Sequence, residues 1–466
     1  MIFDLLIAGG DAVLPGCGRT RVDIAVRDGL IAAILQPGSG AQAKRVVDAT
    51  GLVILPGVID AHLHLGHGKD ISRPRVPEDA DRETASAAKG GVTCMIPYLM
   101  ATGPYEEIFD DVVSVTEAGA RIDFGYHFII STEEQLRSVP AYIKEYGAPT
   151  LKIFMNNRGG EGARLGLPDI DDGFLFRLAR AAAEHGGMVA PHPENIEVAW
   201  VLRDIETKKD PEGRGGLAAW DATRPGFVEA EAVQRAALLV NQAGAPVYIV
   251  HTSSAAALEA ALARRGAGDT VYLETCPHYL THNIDWKGGD IGKINPPLRS
   301  APDNQRLWQA IANGEIDTVA TDHVHRDLSS KEGGIWKASP GCPGMETLLP
   351  VMLTEGHFAR GLPLERIVEL LSEAPARLMG LDHVKGKIAP GLHADLVLVD
   401  LDAEWELRRE DVISSAGYSL YEGHRFKGAI RHTFVRGVAV VENGTLVDAA
   451  RGTGRYVRRR LSHVRG

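Results

Sequence analysis

Leu52-Val53-Ile54-Leu55-Pro56-Gly57-Val58-Ile59-Asp60-Ala61-His62-Leu63-His64 runs from an apolar stretch straight into two imidazoles two residues apart. A β-strand alternates its side chains, so His62 and His64 share one face. Imidazole is the commonest ligand for a borderline-soft cation. A same-face pair at the carboxyl end of a strand points into the mouth of a parallel barrel, where barrel active sites lie. Alone, such a pair is a weak signal, because surface or core histidines meet this spacing by chance more often than ligands do.

Working outward, the same event recurs. Lys152 lies in Thr150-Leu151-Lys152-Ile153-Phe154-Met155, His192 ends Val189-Ala190-Pro191-His192, and His251 ends Val247-Tyr248-Ile249-Val250-His251. Asp322 follows Thr318-Val319-Ala320-Thr321. Each is a polar group at an apolar strand. A lysine in such a strand reads first as a snorkelling stem or a buried ion pair. Among four histidines it has a second reading: a desolvated amine of lowered pKa can take up carbon dioxide, and the carbamate's two oxygens can bridge two cations.

Between about residue 56 and residue 383 the pattern alternates strand, loop and helix, as in Pro246 to Val250 followed by Ala255 to Arg264. That order predicts a parallel sheet and, at this length, a (β/α)8 TIM-like barrel spanning 56–383. A helix is expected around Phe174 to Glu184, with Asp171 or Asp172 as its cap and Gly186-Gly187 at its exit. Short strands crowd both ends: Asp4 to Ala8, Val22 to Val26, Leu30 to Ile34, Val46 to Leu55, then Asp395 to Val399, Thr433 to Val435 and Val438 to Val441. The turns Asp28-Gly29, Arg436-Gly437 and Asn443-Gly444 mark hairpins. Residues 1–55 and 384–450 are therefore expected to build one small β-sandwich, and 451–466, with Arg451, Arg455, Arg458, Arg459, Arg460 and Arg465, a solvated basic tail.

Composition narrows the function classes. The 466 residues carry a net charge of -11, against a general nucleic-acid surface, and no apolar run could cross a bilayer. A small solute is the expected partner. Cys17, Cys94, Cys276 and Cys342 form neither CxxC pairs nor a disulfide framework, and Met1 to Gly10 resembles a first strand more than a leader. A reducing, cytoplasmic setting follows as the expectation.

With these pieces in order, the chain resembles the cyclic amidohydrolases, the group of dihydropyrimidinases or hydantoinases, allantoinases and dihydroorotases. The likeness covers nearly the whole chain. It adds His192-Pro193-Glu194-Asn195, His251-Thr252-Ser253-Ser254, Glu274 to Leu280, Asn295-Pro296-Pro297-Leu298-Arg299, Thr321-Asp322-His323, Pro343 to Thr347 and Gly391 to Val399 to the residues above. The resemblance implies a first cation on His62, His64, Lys152 and Asp322, and a second on Lys152, His192 and His251, with carboxylated Lys152 as the bridge. Zinc is the default metal, with manganese, cobalt or iron as alternatives. A hydroxide shared by the cations would attack the cyclic amide. Asp322 would carry its proton to the leaving ring nitrogen, so Asp322→Asn should lose most turnover. A homotetramer or homodimer is the implied assembly.

The expected activity is ring opening of a hydantoin, a dihydropyrimidine or a related cyclic ureide or imide. Allantoin and dihydroorotate are alternatives, and a non-catalytic scaffold is a further one. Dihydroorotases carry an arginine after the paired histidines, where this chain has Leu65-Gly66. Hydantoinases usually carry a tyrosine five residues after the bridging lysine, where this chain has Asn157. Asn157 and Asn295 are the candidate substrate contacts, each also readable as a turn asparagine. His278 and His323 are expected to orient other groups, and His67 and His325 to lie near the mouth. The Gly66 to Pro77 segment, with Asp70, Arg73 and Arg75, reads as a barrel loop able to cover the site.

Overall fold

The computed structural model describes residues 2–462. Ten parallel segments curl into the barrel. Two of its strands are interrupted: Asp123–Phe124 with His127–Ile129, and Thr318–Val319 with His323–Val324. The ten segments thus make eight strands. The remaining six are Val58–His64, Val92–Leu99, Thr150–Phe154, Met188–His192, Val247–Ile249 and Val271–Thr275. The split last strand closes the ring. Thr318 pairs with Glu274 of the seventh strand, and His323 pairs with Leu63 of the first. Strands buried on both faces lack polar alternation, and Val92–Leu99 is buried at every position.

Helices cover the outside. The expected helix runs from Asp172 to His185; Asp171 caps it by accepting from the Phe174 N–H at 2.7 Å, and Gly186 ends it at φ 74°.

The two chain ends share one mixed sheet. Its strands run in the order Thr445–Leu446, Val438–Glu442, Arg425–Val435, Leu396–Glu406, Val53–Pro56, Phe3–Leu14, Gly18–Arg27 and Leu30–Leu35. Ile7, Ile24 and Ile54 from one end enclose a core with Leu396, Leu398 and Phe434 from the other. All three expected Xaa-Gly hairpin turns form with both residues at positive φ: Asp28 and Gly29 at 50° and 77°, Arg436 and Gly437 at 47° and 74°, Asn443 and Gly444 at 50° and 74°.

Three expectations need correction. The first strand continues past Ala8 to Leu14, because Gly9 at φ 72° carries a bulge that no side chain at that position would favour. The run Val46 to Leu55 is two strands, Ala43–Asp48 and Val53–Pro56, broken at Ala49 to Leu52. The basic tail is not a solvated arm through its described part. Tyr456 and Val457 lie against Phe124, and Arg459 is 2% exposed beneath the ends where the barrel strands begin. Its guanidinium donates to the carbonyls of Met379 and Tyr126 and to Thr150 Oγ1, and burial pushes its pKa down to about 10. Arg465 lies outside the described residues.

A buried ion cluster joins the barrel to the sheet. Lys385 Nζ donates to Asp123 Oδ2 at 2.7 Å and to Asp395, and Arg436 also pairs with Asp123. Asp123, His393 and Asp395 are spaced to hold a cation, but Lys385 and Arg436 already neutralise those carboxylates. Cys94, Cys276 and Cys342 are buried and Cys17 is exposed, all as free thiols. No helix among the described residues is long and apolar enough to cross a membrane.

Candidate metal centre

Strand period and barrel closure bring the six expected ligands to one cavity of ≈ 100 Å³. His62, His64, Lys152, His192, His251 and Asp322 all line it, as do Asn156, Asn157 and Asn295. His62 and His64 project from the first strand, Lys152 from the fourth, and His192 ends the fifth. His251 follows the sixth and Asp322 interrupts the eighth, both at positive φ, 40° and 47°. An L-residue held there is strained unless its surroundings over-determine it, and such residues gather at functional sites.

The charges in the cavity favour cations. His62 Nε2 lies 3.1 Å and His64 Nε2 3.6 Å from the same Asp322 Oδ1, and the three residues can present one donor each within 4.8 Å of one another. On the other side, His192 Nδ1 and His251 Nε2 face each other at 2.8 Å. Two ring nitrogens so placed share at most one proton, and as lone pairs they converge on a single point. His62 Nε2, His64 Nδ1 and His251 Nδ1 are buried without a hydrogen-bond partner among the described residues. Buried polar atoms are rarely left so. His62 Nε2 beside the Asp322 carboxylate, with His64 Nε2 on the same oxygen, is a donor set for a transition metal. The unpaired Nδ1 atoms of His64 and His251 are the far nitrogens of their rings.

Titration agrees with this arrangement. Burial drives His64 down to about 3 and His251 well below its usual value, so both stay neutral with a lone pair to give. For His62 burial acts the same way, but Glu274 and Asp322 outweigh it and hold the pKa above the ordinary range. Burial would raise Asp322, yet His62, His251 and His64 overcome it and keep the carboxylate ionised. Lys152, 1% exposed, is pushed down to about 8 by burial. It has no acid within ion-pair distance among the described residues; its Nζ sits 4.5 Å from the Tyr98 ring centre and 5.6 Å from that of Phe154.

Three orienting groups carry no role assigned from the sequence, although Glu194 and Glu274 stand in the motifs quoted above. Glu274 is fully buried. Oε1 accepts from His62 Nδ1 at 2.6 Å and from the His251 N–H at 2.9 Å, and Oε2 accepts from the Tyr248 hydroxyl at 2.8 Å. Donating Nδ1–H to Glu274 leaves His62 Nε2 as the ligand atom. Glu194 does the same for His192, accepting from Nε2 at 2.7 Å and leaving Nδ1 to the cavity. Tyr98 packs edge-on to His62 at 4.7 Å and stacks on His127 at 4.4 Å. The signal was a carboxylate inside an apolar strand, Tyr272-Leu273-Glu274-Thr275, but nothing local named its partner 212 residues away.

The other candidates divide. His323 is structural, 3.1 Å from Glu83 Oε2 through Nε2 and accepting from the Gly344 N–H through Nδ1 at 3.1 Å. His278 is buried with Nδ1 4.0 Å from Cys342 Sγ and does not line the cavity. His67 is exposed and bonded to Asp79, while His325 Nε2 lies 3.2 Å from the Gly68 carbonyl oxygen. The Gly66 to Pro77 segment is pinned: His67 and Asp70 exchange backbone hydrogen bonds, and Asp79 accepts from the Arg75 and Val76 amides. Asn157 is 4% exposed and its Nδ2 has no partner among the described residues; the buried Asn156 Oδ1 also has none.

An eight-stranded parallel barrel with an imidazole and carboxylate cluster at the carboxyl ends of its strands is the architecture of barrel enzymes that work through bound cations. The amidohydrolase family profile matches residues 53–440, and the chain belongs to that family. It is 34% identical to an L-hydantoinase of Paenarthrobacter aurescens, over 97% of this chain and 98% of that one. It is 35% identical to an allantoinase of Rubrobacter xylanophilus, over 98% of each. Among solved structures, a D-hydantoinase superposes with a TM-score of 0.88 at 30% identity, covering 98% of this chain and 99% of that chain.

Proposed function

We propose that this protein hydrolyses an amide bond within a small ring, a hydantoin, dihydropyrimidine or related cyclic ureide, with two divalent cations as cofactors. The observation that carries the reading is the convergence of His62, His64, Lys152, His192, His251 and Asp322 on one cavity, with His62 Nε2 unpaired among the described residues and His192 Nδ1 facing His251 Nε2. His62, His64 and Asp322 would hold one cation, and His192 with His251 the other. Lys152, carboxylated, would bridge them: its amine is desolvated and has no acid partner among the described residues, the condition in which it reacts with carbon dioxide. Zinc suits imidazole and carboxylate donors. When bound, such a cation pair activates water near neutral pH and polarises a carbonyl.

The chain's own groups do the rest. Asp322, ionised and at the cavity wall, accepts the proton of the attacking water and returns it to the departing ring nitrogen, without which an amide does not cleave. Asn157 Nδ2 is a free donor for the carbonyl oxygen as it gains charge, the part that a tyrosine hydroxyl would otherwise supply. Asn156 Oδ1 is a free acceptor for a ring N–H. A donor beside an acceptor matches the alternating N–H and C=O edge of a cyclic ureide.

The allantoinase relative favours allantoin as the second reading. Dihydroorotate is disfavoured, because the position after the histidine pair is Leu65, 1% exposed, and offers no cation to a ring carboxylate. The test is a screen of the metal-loaded protein against hydantoin, dihydrouracil, allantoin and dihydroorotate, with bound metal measured by mass spectrometry. Two bound ions and ring opening of a ureide support the reading; a fully folded protein that binds no metal overturns it.

A further inference from the structure

The loop that begins at Asn295 and the ligand His192 belong to different parts of the barrel, yet one short helix, Gly216–Thr223, and the Arg224 that ends it reach the loop directly and His192 through Glu194. From it, the Trp220 indole N–H donates to the Ile294 carbonyl at 3.0 Å and to Asn295 Oδ1 at 3.2 Å. An indole N–H can only donate, so the amide atom facing it is the oxygen, and the NH2 of Asn295 is turned away. Asn295 lines the active cavity, and with its Oδ1 against the indole the NH2 is the end of the amide left to face it. It is therefore set as a donor for a ring carbonyl.

The same indole is the platform for a buried cation. The Arg224 guanidinium lies 4.6 Å from the Trp220 ring centre, at 2% exposure, with its Nε 3.3 Å from Glu194 Oε1. The other oxygen of Glu194 accepts from His192. Arg299, which closes the Asn295 loop, returns to this element, donating to Asp221 Oδ1 at 2.7 Å and to the Arg224 carbonyl. Both ends of the substrate loop and the carboxylate behind a ligand histidine thus rest on residues 220–224.

We propose that Trp220 and Arg224 are positioning residues that couple ring recognition to the ligand set: Trp220 fixes the amide of Asn295 with its NH2 toward the substrate, and Arg224, through Glu194, fixes His192 with Nδ1 toward the cation. The proposal rests on the functional reading above for its substrate and on the ligand geometry for its metal.

Trp220→Phe keeps an aromatic platform under Arg224 and deletes the donor. KM for the ring substrate should rise roughly three- to tenfold, the cost of one neutral hydrogen bond, with both ions retained. In an Asn295→Ala background the same change should add nothing, because Trp220 acts through that amide. Asn295→Asp, which keeps the acceptor for Trp220 and replaces the NH2 donor with a charged oxygen, should raise KM even if Trp220→Phe folds poorly, with bound metal counted in the same sample. Arg224→Met should weaken one of the two zinc ions about 10- to 100-fold in a chelator competition, a measurement that needs no substrate. An undiminished Trp220→Phe penalty in the Asn295→Ala background, unchanged KM in Asn295→Asp, or wild-type zinc affinity in Arg224→Met each overturns the proposal. A wild-type protein that binds two ions but opens none of the rings overturns the functional reading instead, and the zinc competition still decides the role of Arg224.

Discussion

Replacing Glu274 with Gln removes one charge and almost no volume from the point where two ligand histidines are held. In the native site the carboxylate accepts from His62 Nδ1 at 2.6 Å, the His251 N–H at 2.9 Å and the Tyr248 hydroxyl at 2.8 Å. The amide can keep all three contacts. Its oxygen takes the place of Oε1, and its NH2 faces Tyr248, whose hydroxyl can turn to accept because Thr318 Oγ1 lies 2.6 Å on its other side. What is lost is the charge assistance in the bonds to His62 and His251. A hydrogen bond to a charged group contributes about 1.5–3 kcal/mol and a neutral one about 0.5–1.5, so the two bonds together lose roughly 2–3 kcal/mol. The loss falls on the metal-bound state, where His62 must keep Nδ1 protonated and Nε2 free. The affinity of the ion on His62 should therefore drop roughly 30- to 150-fold, one decade per 1.4 kcal/mol. The metal-free protein should change little, since a buried carboxylate carries a desolvation cost that the amide does not. Chelator competition on the purified variant, with denaturant unfolding of its metal-free form, reads both quantities. Native zinc affinity in Glu274→Gln would refute the argument that this carboxylate orients the ligands.

Asp322→Asn should reduce turnover at saturating substrate by about 10²–10⁴, the usual contribution of a positioned proton carrier, and a variant within tenfold of wild type would remove Asp322 from that role. Asn157→Ala should lower kcat by about 10²-fold with metal content intact, measured by steady-state kinetics on metal-counted protein. Because burial sets the Lys152 amine near 8, its neutral form, the one that reacts with carbon dioxide, grows about tenfold per pH unit from 6 to 7 and levels off above 8. Carboxylation of the metal-free protein, followed with ¹³C-labelled carbon dioxide held at a fixed dissolved concentration at every pH, should accelerate in that sense; a rate flat across pH 6–8 under that condition would contradict it. Arg459→Met should destabilise the fold by about 3–5 kcal/mol, since it strips the Met379 and Tyr126 carbonyls of their buried guanidinium donor in the barrel floor and leaves Thr150 Oγ1 with His127 alone. Activity per folded molecule should stay unchanged, with urea unfolding as the measurement.

Much was legible before any coordinates because it depends on short-range rules. The spacing of His62 and His64 puts them on one strand face, the capping of Asp172–His185 is written in Asp171 and Gly186, and the Xaa-Gly pairs at 28, 436 and 443 need only local backbone preference. The polar residues that interrupt or end several apolar strands are likewise local, and with the family resemblance they let six of the cavity's lining residues be named from the chain as ligands. What only the tertiary structure decided is which atoms meet. Closing the barrel through the split strand at 318–324 sets Asp322 beside His62, and it carries Glu274 to His62 across 212 residues, choosing Nε2 rather than Nδ1 as the free nitrogen. It also leaves His278 out of the cavity lining, beside Cys342, and folds Arg459 under the barrel. A strand's period is a property of a few consecutive residues, whereas a hydrogen-bond partner or the burial of a charged tail depends on which distant surfaces pack together, and no local pattern encodes that.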